Sequence, residues 1–229
     1  MIASALSAAD SGPTSVSIQL SKAYIPIGFD DNDRVQVVVE GTLPNSCYKV
    51  DPLISVVDTK NRTITLEQKA LLYPGVCIET LVPFTKVAEI GLLSEGSYRL
   101  QDKMGKEDLG TLPVTRATKS EADDYLYAPI TDAYVTVSTR DANTKKFKLH
   151  LTGAFTDRCT KLKNVVIHYY SDVIVVQPIA VRAGTRGCTG VKSRFSWDEE
   201  LNSDLKGSKL LHVRSMNGEA INKVVDFDE

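Results

Sequence analysis

The chain has 229 residues, 42% of them hydrophobic and 24% charged, with 27 Lys+Arg against 29 Asp+Glu. That length holds one or two domains of ordinary size, each able to bury a core. A formal net charge of −2 gives no whole-molecule pull toward nucleic acid, and no apolar run reaches the ~18 residues of a membrane span.

Read in chain order, residues 1–13 (MIASALSAADSGP) are small and apolar as far as Ala9 and then polar. They read as the remnant of a secretory signal peptide, with a disordered arm as the alternative. Alternating apolar and polar residues then set in at VSIQL (Val16–Leu20), RVQVVVEG (Arg34–Gly41) and TITLE (Thr63–Glu67), the period of half-buried strands, although Val38 breaks it. Turn residues fall between them at DDND (Asp30–Asp33), DTKNR (Asp58–Arg62) and SEG (Ser94–Gly96). TLEQKALL (Thr65–Leu72) and, later, FSWDEEL (Phe195–Leu201) have the composition of short helical turns. ATKSEADDY (Ala117–Tyr125) is polar and charged and marks a linker, placed at 117–126 between domains at 14–116 and 127–229.

The second half repeats the first. AYIPI (Ala23–Ile27) answers AYVTV (Ala133–Val137), RVQVVVEG answers KFKLHLTG (Lys146–Gly153), and GTLPNSC (Gly41–Cys47) answers GAFTDRC (Gly153–Cys159). Cys77 follows as Cys188 does, and the register continues with Phe84 against Phe195, Glu89 against Glu200, Gly96-Ser97 against Gly207-Ser208 and Leu100 against Leu211. Many weak matches in one order mark a duplication. Short alternating strands at regular spacing then give an all-β class, with one antiparallel sandwich of about seven strands in each unit. Four cysteines allow three pairings; the repeat selects Cys47–Cys77 and Cys159–Cys188, one bond per unit. Paired bonds belong to an oxidising compartment, so the protein is expected to be exported, periplasmic or secreted.

The tail of each unit places Phe seven residues after a Cys, ahead of an apolar strand and a later Gly-Ser, as in CIETLVPFTKVAEIGLLSEGSYRL (Cys77–Leu100). It resembles the closing strands of tandem immunoglobulin-like domains in exported bacterial proteins. The resemblance implies a fold and no activity, because such sandwiches host unrelated functions.

No HExxH, GxSxG, P-loop or GxGxxG occurs, so neither catalytic residues nor a cofactor is expected. Of the three histidines, His150 and His212 alternate with apolar neighbours and read as outward-facing, and His168 as partly buried. Asp30, Asp31 and Asp33 offer calcium-type oxygens without the EF-hand spacing; a solvated turn is the plainer reading. Charge separates the two units. From Arg158 to Arg194 the second carries Arg158, Lys161, Lys163, Arg182, Arg186, Lys192 and Arg194 against one acid, Asp172, whereas Ser46–Pro83 of the first is neutral. Guanidinium groups held around a disulfide suit an anionic partner. The expected function is therefore a non-catalytic exported binding or envelope-structural protein that contacts an anionic glycan, lipid head group or protein of the cell envelope. The alternatives are an inhibitor or accessory subunit of an exported enzyme, and a hydrolase with Asp123, Asp124 or Asp132 meeting His150 or His168 between the domains. Tyr125 and Tyr127 of YLYAP are expected to pack at the interdomain junction.

Overall fold

The computed structural model describes residues 12–105, 108–120, 123–141, 144–184 and 188–228. Almost all of residues 1–13, and with them the signal-peptide or arm reading, lie outside this set. The first half contains β1 (Thr14–Ile18), β2 (Leu20–Tyr24), β3 (Phe29–Asp30), β4 (Val35–Leu43), β5 (Tyr48–Asp58), β6 (Thr63–Leu72), β7 (Val82–Gly91), β8 (Gly96–Asp102) and β9 (Asp108–Thr115). The second contains β10 (Ile130–Asp141), β11 (Thr144–Phe155), β12 (Thr160–Tyr169), β13 (Val173–Arg182), β14 (Ser193–Glu200), β15 (Ser208–Arg214) and β16 (Ala220–Asp226).

Each half folds into two facing sheets, and no sheet is shared between halves. In the first, β2-β4-β7 faces β1-β6-β8-β9-β3, with β5 on the other side of β6; in the second, β10-β11-β14 faces β12-β13-β15-β16. Seven strands of one half therefore match the seven of the other, down to the parallel pairs β6/β8 and β13/β15. Alternation supplies the cores. Val35, Val37 and Val39 of β4 meet Ile64, Leu66, Leu100 and Leu112 in the first unit. Phe147, Leu149 and Leu151 of β11 meet Ile174, Val176, Leu211 and Val213 in the second.

The duplicated glycines have a steric cause. Gly41 lies opposite Phe84, and Gly153 lies opposite Phe195. In both units the phenylalanine ring covers the glycine, and an added Cβ would fall inside contact distance of it. The cysteine turns match as well: Asn45 Oδ1 accepts from the N–H of Cys47 at 3.1 Å and Asp157 Oδ1 from that of Cys159 at 2.8 Å. Both disulfides join the cysteines that the repeat selected, Cys47–Cys77 and Cys159–Cys188.

The helical turns expected at Thr65–Leu72 and Phe195–Leu201 are corrected: the first lies in β6 and the second largely in β14, and among the described residues the single helical element is a 3-10 turn at Met216–Gly218. Gln68 hid the β6 alternation. It occupies an inward position after Ile64 and Leu66, where its amide donates to the Asp51 carbonyl at 2.7 Å, opposite the irregularity between Val50 and Leu53. In β14, Phe195 and Trp197 turn inward while Asp198 and Glu200 pair with Lys148 and Lys146 across the strand.

The exception at Val38 has a different cause. Its side chain leaves the first core and joins Tyr24, Val173, Val175 and Leu210 in a buried cluster that spans both units. The unbroken apolar run of β13 follows from the same contact: Ile174 and Val176 fill the second core, and Val173 and Val175 meet the first unit. Burying a valine contributes roughly 1.5–3 kcal/mol, so this cluster stabilises the contact between the units. Polar bonds surround it: Asn222 Nδ2 donates to Gln36 Oε1 at 2.9 Å, and Lys22 reaches Asp172 at 3.5 Å.

Candidate functional site

The basic residues of the second unit fall into separate groups. β12 and β13 pair Lys161 with Val181, and Thr160 with Arg182. Thr160 and Arg182 share a face with Leu162 and Ala180, which pack beside the second core, so Arg182 points to the open end of the sandwich. Lys161 points to the outer face, and Lys163 lies at the irregularity between Leu162 and Asn164. Arg158 is exposed in the turn before Cys159, and Lys192 is exposed between β13 and β14, in the segment tied back by the Cys159–Cys188 bond. Arg194 stands apart, in β14 of the opposite sheet, across from Ala154. Arg186 lies outside the described residues.

One carboxylate belongs to this end and precedes the basic window by a single residue. Asp157 Oδ1 accepts from Cys159 N, Thr160 N and Thr160 Oγ1 at 2.8, 2.8 and 3.0 Å. Those bonds, led by the Thr160 amide, hold its carboxyl below the usual range, so it is anionic at neutral pH. Its other oxygen lies 3.9 Å from Arg182, beyond hydrogen-bonding distance. Arg158, Lys161, Lys163, Lys192 and Arg194 have no ion pair among the described residues.

Arg182 lines a groove of about 260 Å³ at the open end of the sandwich. Its walls are Leu126, Tyr127, Pro129, Phe155 and Met216, with Thr156, Asp157 and Thr160 at the polar side. The segment before β10 forms one wall and is fixed to the end of β13: Ala128 N donates to Pro178 O and Ala180 N to Leu126 O. The sequence reading missed this groove, because Leu126 and Phe155 look like ordinary linker and core residues until the strands bring them to Arg182.

The acidic loop of the first unit is engaged by protein groups. Asp30 Oδ1 accepts from Asn32 N, Asp31 Oδ1 from Ala117 N, and Asp33 Oδ2 from Asp30 N. Among the described residues no cluster of His, Cys, Asp or Glu is arranged for a metal. Asp33 also faces Arg214 of the second unit at 3.5 Å. Burial outweighs that cation and pushes the Asp33 carboxyl up to about 6. The Arg214 guanidinium also donates to the Gly28 carbonyl and lies over the Phe29 ring at 5.4 Å. Beside it, His212 faces away from its own core as expected, yet it is buried against the first unit, edge-on to Phe29 at 5.9 Å. Desolvation pushes its imidazole down to about 4, so it is neutral at physiological pH, and its Nδ1–H donates to Asn222 Oδ1 at 2.7 Å. The cavity among Asp33, Gln36, Tyr127, His212 and Arg214 is about 20 Å³, the size of one water.

The groups named for a hydrolytic site lie on different elements. His150 bonds Asp198 at 2.9 Å and Thr136 at 2.7 Å on the outer face of β10-β11-β14. His168, expected to be partly buried, is exposed on β12 of the other sheet and meets Gln177 at 3.2 Å, because the inward positions of that strand fall to its neighbours Ile167 and Tyr169. Asp132 pairs with Lys223, and Asp123 accepts from the N–H groups of Asn217 and Gly218. Tyr127 is buried at the junction, 6.0 Å from Arg214, whereas Tyr125 is exposed. A further surface went unread in the sequence: Val76, Ile78 and Leu81 stand exposed around Cys77, where VCIETLV lacks the polar alternation of a surface loop.

Residues 37–102, from β4 to β8, match the family model described as the ORF11 beta-sandwich domain. No curated protein and no solved structure matches the chain. The match covers less than a third of the sequence and makes the first unit similar to a β-sandwich domain.

Proposed function

We propose that this is an exported, non-catalytic binding protein of two immunoglobulin-like sandwiches in tandem. Its contact surface is the disulfide end of the second unit, and its ligand is an anionic component of the cell envelope. The observation that carries the reading is that Arg158, Lys161 and Lys192 lie within four residues of a cysteine of the Cys159–Cys188 bond, and that Arg182 stands across from Thr160 at the same end. There the sole ion pair among the described residues is the long one from Arg182 to Asp157. Cations held this way keep donors for a partner, and the disulfide reduces the ordering cost of binding. Export is supported by the two disulfides, which an oxidising compartment maintains.

The test is retention on immobilised heparin as an anionic glycan probe. The triple variant Arg158→Glu, Lys161→Glu, Lys163→Glu elutes at lower salt than wild type, with an unchanged melting temperature. Equal retention of the two proteins overturns the reading of this surface. Binding that survives high salt and captures one protein stoichiometrically instead favours an inhibitor or accessory subunit.

A further inference from the structure

We propose that the groove at the open end of the second unit binds a small monoanionic amphiphile, its acid group on Arg182 and its apolar body against Leu126, Phe155 and Met216. The inference rests on the reading of this end as the contact surface and adds the class of ligand.

The duplication provides an internal comparison. The first cross-strand pair after the cysteine turn is Tyr48–Leu72 in the first unit and Thr160–Arg182 in the second. In the first unit that place is filled: Tyr48 packs against Ile18, Leu43 and Ala70. In the second, a small hydroxyl residue and a guanidinium stand at the same two positions, and a groove of about 260 Å³ opens there. This is just below the roughly 300 Å³ at which ligand pockets of drug-like size begin. The groove is therefore a local difference between two copies of one fold.

Its lining selects the ligand. Leu126 is 51% exposed and forms one wall, so the groove presents apolar surface to solvent. Arg182 offers five N–H donors, and the oxygen of Asp157 that faces it is 3.9 Å away. A carboxylate or sulfate group fits the fork of such a guanidinium. Asp157 stays ionised within the same groove and repels a second negative charge, which favours a monoanion over a dianion. The walls are fixed beforehand. Leu126–Ala128 is bonded to β13, Thr160 is bonded to Asp157, and Met216 begins the 3-10 turn whose amides are held by Asp123. Preformed walls of this kind reduce the entropy lost on binding.

The experiment is calorimetric titration of the intact, oxidised protein with decanoate and decyl sulfate below their micelle concentrations, with decanol as the uncharged control. Wild type binds one equivalent of either anion. Thr160→Tyr, which restores the first unit's residue, abolishes binding while heparin retention stays at the wild-type level. Arg182→Leu weakens the anions about ten- to a hundredfold, the loss of one charge-assisted interaction, and leaves decanol unaffected or tighter. Leu126→Asp alters an exposed side chain and serves where Thr160→Tyr fails to fold; it too abolishes anion binding. Wild-type levels of decanoate binding in Leu126→Asp and Thr160→Tyr overturn the groove, as does failure of wild type to bind either anion. If heparin retention responds to the triple substitution while decanoate does not bind, the groove inference fails and the wider contact surface stands. If decanoate binds as described and heparin retention does not respond, the groove stands alone.

Discussion

The Arg214 guanidinium of the second unit lies 3.5 Å from the Asp33 carboxylate of the first, with both side chains at most 10% exposed. Breaking such a pair leaves a buried charge alone, whereas removing both partners does not. Arg214→Leu is therefore expected to lose about 3 kcal/mol in urea unfolding near about pH 8, where Asp33 is ionised, and Arg214→Leu with Asp33→Asn to recover most of it. Equal losses in the single and double variants would show that the pair contributes nothing specific.

The junction carries two opposed pH dependences. Asp33 titrates at about 6 in the folded protein, above the carboxylate value of 3.8, so its contribution is fully present below 3.8 and is lost as pH rises through 6. His212 titrates at about 4, below its ordinary 6.5, so its contribution is present above 6.5 and is lost as pH falls toward 4. Between pH 6 and 4 the two partly offset each other. Asp33→Asn should steepen the fall in melting temperature across that window, and His212→Gln should flatten or reverse it. Parallel pH profiles for wild type and both variants would refute the assignment.

Val38→Lys tests whether the apolar contact docks the units. It places a charge in the cluster of Tyr24, Val173, Val175 and Leu210 without touching either core. The expected result is a larger radius of gyration and faster protease cleavage in residues 116–124, with both disulfides retained. An unchanged scattering profile would mean that the polar bonds hold the units without the cluster.

Gly153→Ala should cost more stability than Gly41→Ala. Both methyl groups meet a phenylalanine ring, which can rotate away, but the one at residue 153 also strikes the Pro129 backbone carbonyl, whereas at 41 the nearest carbonyl, Gln19, is 3.1 Å away. Overpacking of this kind costs about 1–3 kcal/mol, and the larger value is expected at Gly153. Chemical unfolding of the two variants decides the order.

Much of this architecture is legible in the residues. Alternation placed β4, β11 and the strand at Thr63 with the correct inward faces, because a half-buried strand exposes every second side chain to water. The matched cysteine spacing chose the two disulfides from three possible sets, because a duplicated unit carries its own bond. The helical reading of TLEQKALL failed where Gln68, an inward polar residue, interrupted the pattern to satisfy a carbonyl at a β-bulge. The basic set was visible as a list of charges, but the list did not show that Arg194 lies on the opposite sheet or that Asp157 belongs with the rest.

By itself the sequence determined class, repeat and pairing, all of which follow from local period and from spacing between equivalent residues. It also marked Val38 as a break in the alternation and gave His212 an outward face, since period two distinguishes only two sides of a strand. Whether an outward side meets water or a second unit was decided by tertiary structure, through contacts such as Gln36 with Asn222, 186 residues apart. The groove depends on the same kind of meeting. Thr160 and Arg182 face each other because β12 pairs with β13, and Leu126 reaches them because the strap before β10 is bonded to the end of β13. Close packing across long separations in the chain fixes those positions, and no local pattern of residues encodes it.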